Sequence, residues 1–177
     1  ALPAWEVTGF YDDGKAKGTL IKQLQVLGGL SELLEVTEVT HIVLAVGSPV
    51  IKTKLAKILA GYDHIHFPVL VHPQAVIQDL PSVKLGRGSI LTAGTVLTTD
   101  IEIGEHVLIN LTCSVGHNVH IGDCSSVMPG VTIAGEVTIG KGVLIGSGAN
   151  ILNGLHIGDH SRVGAGSVVT KPVAVGK

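Results

Sequence analysis

Two histidines three residues apart, His117 and His120, lie in the segment Val115-Gly-His-Asn-Val-His-Ile-Gly122. Neutral imidazole accepts a proton near pH 7, so it suits a reaction whose nucleophile must lose a proton as it attacks a carbonyl. A histidine on an outward surface is ordinarily just solvated, and only its context raises it to a candidate base. Zinc fits the pair poorly, because a catalytic site needs three protein ligands and an open position. Position 122, five residues after His117, is glycine. His41, His64, His66 and His72 read as structural or surface residues, and His106, His156 and His160 as outward or corner residues without evident partners. Cys113 falls at a small inward position and reads as core filling, and Cys124 as an ordinary free thiol. Two cysteines make no disulfide framework, and a reducing cytoplasmic compartment is expected.

The elements that carry these histidines are set by a six-residue period. An aliphatic residue recurs without a slip from Leu85 through Leu91, Leu97, Ile103 and Ile109 to Val163 and Val169. A small or β-branched residue follows four positions later, as at Ser89, Thr95, Val107 and Ser125. Such a period marks a solenoid. Six residues make a short strand and a corner, and three such units close one triangular coil. Stacked at that spacing, the aliphatic residues form three inward ladders beginning at Leu85, Leu91 and Leu97. Glycine often follows the aliphatic residue, as at Gly86, Gly104 and Gly122, and is expected there because the corner needs unusual φ/ψ. The ends of the solenoid need caps. Aromatics are only 3% and the net charge is −2, which argues against base stacking and a nucleic-acid footprint. No apolar run is long enough for a membrane span, and no signal peptide is visible.

Residues before about 70 lack the period. Trp5-Glu-Val-Thr-Gly-Phe10 reads as a strand ending at Tyr11-Asp12-Asp13-Gly14, and His41 to Gly47 as a buried strand. Ser48 and Pro49 look like an N-cap and first helical residue, with Val50, Ile51, Leu55, Ile58 and Leu59 at helical spacing and Gly61 as a C-cap. Phe67 to Val71 reads as another strand, and Leu20 to Glu38 as partly helical at best. The result is a small parallel α/β unit, which looks as though it starts after the first strand and helix. Asp12, Asp13 and Gly47 each follow a strand, at the edge where such units bind ligands. Asp12-Asp13-Gly14 also reads simply as a turn. The boundary is placed near 72, giving an α/β domain over 1–72 and a β-helix over 73–177.

Acyl transfer from a thioester to an amine or alcohol would use such a base, and backbone N–H groups at glycine-rich corners could hold the oxyanion. Asp12-Asp13, Val26-Leu-Gly-Gly29, Ala45-Val-Gly47, His72-Pro73, Val115-Gly-His117 and Ile121-Gly-Asp123 resemble the PglD/NeuD family of bacterial sugar acetyltransferases. The resemblance covers nearly the whole chain. It implies a left-handed parallel β-helix assembled as a homotrimer, with active sites between subunits. It also implies acetyl-CoA as co-substrate, no metal, and His117 as the base. Asp12, Asp13 and Gly47 would touch a nucleotide-linked amino sugar, and Ser126, Ser147 and Ala165 would lie along acetyl-CoA. Where many members carry a carboxylate after the histidine, this chain has Asn118, stacked over Asp100 and under Glu136. Glu136 or Asp100 is therefore expected to orient His117. The expected reaction is direct N-acetylation of a UDP-linked 4-amino-deoxysugar in bacterial glycan synthesis. The alternatives are O-acetylation of sialic acid or a related sugar, a zinc-dependent carbonic-anhydrase-like lyase, and a non-catalytic scaffold.

Overall fold

The computed structural model describes residues 5–177, and the chain divides into two compact units, Ala1–Thr40 and His41–Lys177. In the first unit, β1 (Gly9–Tyr11), β2 (Leu20–Ile21) and β3 (Leu24–Gly28) form a sheet in the order β1-β3-β2. β1 runs parallel to β3, and β2 is antiparallel to it. The stretch read as partly helical at best thus opens with a hairpin and then carries a short helix. Its reversal uses Lys22 at φ 56°, a left-handed conformation that nothing in the residue type announces. Helix α1 (Leu30–Leu34) follows at once, and the Glu32 carboxylate accepts from Gly29 N at 2.8 Å. That backbone bond holds the Glu32 carboxyl below its usual pKa.

At the junction, β4 (Thr40–His41) pairs with β5 (Ile65–His66). The expected strand from His41 to Gly47 is therefore short, and Leu44 is its one buried residue. Between these strands lies α2 (Pro49–Leu59), with Ser48 as N-cap and Ala60 as C-cap, one residue before Gly61. Its buried residues are Pro49, Lys52 and Leu59, whereas Val50 and Ile51 are exposed.

The rest is a left-handed β-helix with three flat faces. The first face stacks Leu70–Val71, Ile90–Leu91, Leu108–Ile109, Ser126–Val127, Leu144–Ile145 and Arg162–Val163. The second stacks Val76–Ile77, Val96–Leu97, Ser114–Val115, Thr132–Ile133, Asn150–Ile151 and Val168–Val169. The third stacks Val83–Leu85, Ile101–Ile103, His120–Ile121, Thr138–Ile139 and His156–Ile157. All pairings between coils are parallel, in registers such as Val96↔Ser114 and Ser114↔Thr132. The aliphatic ladders fill the interior, with Leu97, Ile109, Ile121, Ile139 and Ile145 at 0% exposure. The small residues between them are buried too. Ser89 and Ser125 satisfy their hydroxyls on the carbonyls of Gly104 and Gly140.

The glycine expectation is corrected. Left-handed φ falls not at Gly86 or Gly122 but two residues later, in three corner columns. Gly94, Thr112, Gly130, Gly148 and Gly166 form the corner between the first and second faces. Asp100, Asn118, Glu136 and Gly154 form the corner between the second and third, and Gly88, His106, Cys124, Gly142 and His160 close the triangle. The glycine directly after the aliphatic residue is there for close approach. A β-carbon at Gly116 would lie 2.7 Å from the Gly135 nitrogen, and one at Gly122 2.7 Å from the Gly140 carbonyl carbon.

Candidate functional site

His117 stands at the end of the second face, one residue before a corner. Val115 points inward at 1% exposure, Gly116 lets the coils approach, and His117 points out. Asn118 then takes φ 55°, a value asparagine tolerates better than most residues. That turn brings Asn118 Oδ1 to 2.9 Å from His117 Nδ1. With the amide oxygen facing the ring, the neutral tautomer that satisfies it carries its hydrogen on Nδ1 and presents Nε2 as the acceptor. The ring lies over Gly135, where a β-carbon would sit 2.5 Å from Nε2. Glycine at 135 therefore keeps the basic nitrogen open.

The expected carboxylate partner is corrected. Among the described residues the hydrogen-bond partner of the His117 ring is Asn118. Glu136 Oε2 accepts from Asn153 Nδ2 at 3.3 Å, and Asp100 Oδ2 from Thr99 Oγ1 at 3.2 Å. Both carboxylates follow their own left-handed corner residues to neighbours along the corner, and neither turns back to the ring. His120 is engaged separately, with Nδ1 3.7 Å from Glu102 Oε2 on the preceding coil.

Ser147 and Ala165 are exposed and sit beside the corner of Gly148 and Gly166. They lie along one edge of the second face and His117 along the other, so a single chain does not bring them together. The Gly148 and Gly166 amides bond the Pro129 and Ser147 carbonyls, so they are not free to hold an oxyanion. Ser126 lies on the first face at 0% exposure, under Lys52. In the other unit, Asp12 Oδ1 accepts from Gly14 N at 2.8 Å, which is the turn reading. Asp13 Oδ1 accepts from Leu30 N at 2.7 Å and holds the start of α1. Gly47 is exposed, and a β-carbon there would lie 3.5 Å from the Met128 methyl.

A cleft of about 310 Å³ between α2 and the third corner is lined by Ala56, Phe67, His106, Cys124 and His160. It contains none of the expected site residues. Its charged walls pair with each other, Arg87 with Glu105 at 3.0 Å and Lys141 with Asp123 at 2.9 Å. His106, read as an outward or corner residue without an evident partner, stands at a corner but is buried edge-on against Phe67 with ring centroids 4.6 Å apart, and burial lowers its pKa. Cys124 is also buried, and burial raises its thiol pKa.

The residue that sequence reasoning missed is Lys52. It shares a helix face with Pro49, Ala56 and Leu59, and it meets Ser126, a polar break in the outward column Ile90, Leu108, Ser126, Leu144, Arg162. That combination of spacing and break was the available signal. Among the described residues, no group of three or more His, Cys, Asp or Glu is placed to hold a metal, and no helix is long and apolar enough to cross a membrane.

The sequence model for bacterial transferase hexapeptide (six repeats) matches residues 136–171. No curated protein sequence matches. Among solved structures, WeeI from Acinetobacter baumannii AYE is 33% identical, with 95% of this chain and 80% of that chain covered and a TM-score of 0.85. The acetyltransferase domain of PglB from Neisseria gonorrhoeae FA1090, in complex with acetyl coenzyme A, is 27% identical over 95% of this chain and 80% of its own, at a TM-score of 0.87. A histidine-to-asparagine variant of perosamine N-acetyltransferase from Caulobacter crescentus, in complex with CoA and GDP-perosamine, is 27% identical over 88% and 74%, at a TM-score of 0.82. The repeat and these likenesses together show that the chain belongs to the bacterial hexapeptide-repeat transferases, as an acetyl-CoA-dependent acyltransferase.

Proposed function

We propose that this protein acetylates the amino group of a nucleotide-linked 4-amino-deoxysugar, as PglD/NeuD-like enzymes do, with His117 as general base. The observation that carries the reading is the His117 ring itself. Asn118 holds its Nδ1–H, Gly135 leaves Nε2 open, and the ring stands on an exposed corner. The neutral sugar amine attacks the thioester carbonyl, the C–N bond forms, and Nε2 takes the amine proton. The C–S bond then breaks, and the departing thiolate regains a proton from His117. No covalent enzyme intermediate is required.

The Caulobacter enzyme is seen with CoA and GDP-perosamine in histidine-to-asparagine and histidine-to-alanine variants. Acetyl-CoA would run past Ser147 and Ala165 on the neighbouring copy of a homotrimer. Asp12, Asp13 and Gly47 of the 1–72 segment would face the sugar nucleotide. Among the described residues each of those two aspartates has one oxygen engaged internally, and the second oxygen would take the ligand. In this reading Ser126 acts beneath the surface, and Glu136 supports the corner through Asn153. We assign the nucleotide as UDP. The GDP-perosamine complexes of the Caulobacter relatives favour GDP as the second reading.

The test is thiol release from acetyl-CoA with UDP- and GDP-linked 4-amino-4,6-dideoxysugars and their 4-hydroxy counterparts, with products identified by mass. N-acetylated UDP-sugar as the preferred product supports the reading. A GDP preference moves the assignment to the second reading. Acetylation only of hydroxyls, or of nothing, contradicts it.

A further inference from the structure

Lys52 is a long cation at 1% exposure on a helix that leaves Val50 at 65% and Ile51 at 51%. Its Nζ donates to Ser125 O at 3.0 Å and to Ser126 Oγ at 2.8 Å. Among the described residues no carboxylate pairs with it. Burial brings its pKa down to about 8, against a smaller opposing effect of Cys124. An apolar side chain of similar volume in such a place is usually neutral or stabilising. Stability therefore does not account for a lysine here.

A serine beside a lysine of lowered pKa also resembles a nucleophile–base pair. Burial excludes that role, because Ser126 is 0% exposed and an acyl donor has no path to it.

Geometry points elsewhere. The Lys52 backbone N–H donates to Ser48 O at 3.0 Å and closes the first turn of α2, while its side chain is fixed on the first face. One residue thus ties Ser48 to the β-helix. The preceding Gly47 abuts Met128, two residues beyond the anchor Ser126. We infer that Lys52 is a positioning residue: it sets the register of α2 on the β-helix and holds the Gly47–Ser48 turn, a wall of the sugar-nucleotide site, against Met128. The site assignment rests on the proposed function; the register does not.

Met128 is the chain's sole methionine, so a methyl-13C methionine label gives one internal NMR reporter of the Gly47 contact. Lys52→Leu keeps the helix face apolar without adding a methionine. The variant is expected to melt at or above the intact protein, to shift the Met128 methyl resonance, and to raise KM for the nucleotide sugar on the order of tenfold. KM for acetyl-CoA should stay unchanged. Ser126→Ala removes one acceptor and should displace the resonance in the same direction; it carries the test if Lys52→Leu fails to fold. An unmoved Met128 resonance with an unchanged sugar KM overturns the inference. If the intact protein turns over no nucleotide sugar, the functional reading fails, and the Met128 resonance alone decides the role of Lys52.

Discussion

A neutral imidazole works as a base only when one nitrogen is kept unprotonated and accessible, and in His117 two small neighbours do this. Asn118 takes the Nδ1 hydrogen, and Gly135 leaves room at Nε2. Gly135→Ala would press its methyl on Nε2, so kcat/KM is expected to fall on the order of a hundredfold with acetyl-CoA binding retained. Steady-state kinetics with a CoA-binding titration checks this. Asn118→Asp keeps a residue suited to left-handed φ and puts a carboxylate beside the ring. The pH–rate profile of the variant should differ from that of the intact protein; an unchanged profile would remove residue 118 from the role. His117 was singled out from its type and surroundings. Its partner was not, because stacking at the coil spacing pointed to Asp100 and Glu136. The side-chain direction after a left-handed corner decides the contact, and residue spacing does not carry it.

At the scale of elements, the six-residue period specified the β-helix strands from Ile90 onward, because each inward position there is filled by an aliphatic or small residue, but it missed the opening strand Leu70–Val71, which pairs with Ile90–Leu91. The same period did not say why glycine follows the aliphatic residue. Close packing of coils and left-handed corners both call for glycine, and only the geometry separates them. Helix α2 was legible in its extent but not in its orientation, since it buries Lys52 and exposes Val50 and Ile51. That burial makes stability pH-dependent. With the folded pKa lowered to about 8 and the ordinary value 10.5, the unfolded chain holds this proton more tightly. The penalty is complete below the folded value and fades as pH rises through it toward 10.5. The gap corresponds to about 3 kcal/mol. Lys52→Leu should therefore be more stable than the intact protein at neutral pH, and the difference should shrink by pH ~10. Denaturant melts across that range check it, in a Cys124→Ser background because that buried thiol also titrates at high pH. A gap that is constant or widens with pH would contradict the account.

At the scale of the whole molecule, the second face carries His117 along one edge and Ser147 and Ala165 along the other. Under the proposed roles, those residues meet only across a boundary between copies. The sequence pattern contains no direct trace of this, because corners far apart on one prism become neighbours only in an assembly. Two inactive variants should therefore complement. His117→Ala mixed with Ala165→Trp and reassembled should recover activity, with on the order of a quarter of sites rebuilt if subunits pair at random. Absence of recovery, with mixed oligomers confirmed by mass, would place the site within one chain. The most direct test of the central claim is thiol release by the intact protein and by His117→Ala, with acetyl-CoA and a nucleotide-linked 4-amino-deoxysugar. A fall in kcat of about 10²–10⁴-fold is expected, with acetyl-CoA still bound. A variant that keeps the intact rate would contradict it.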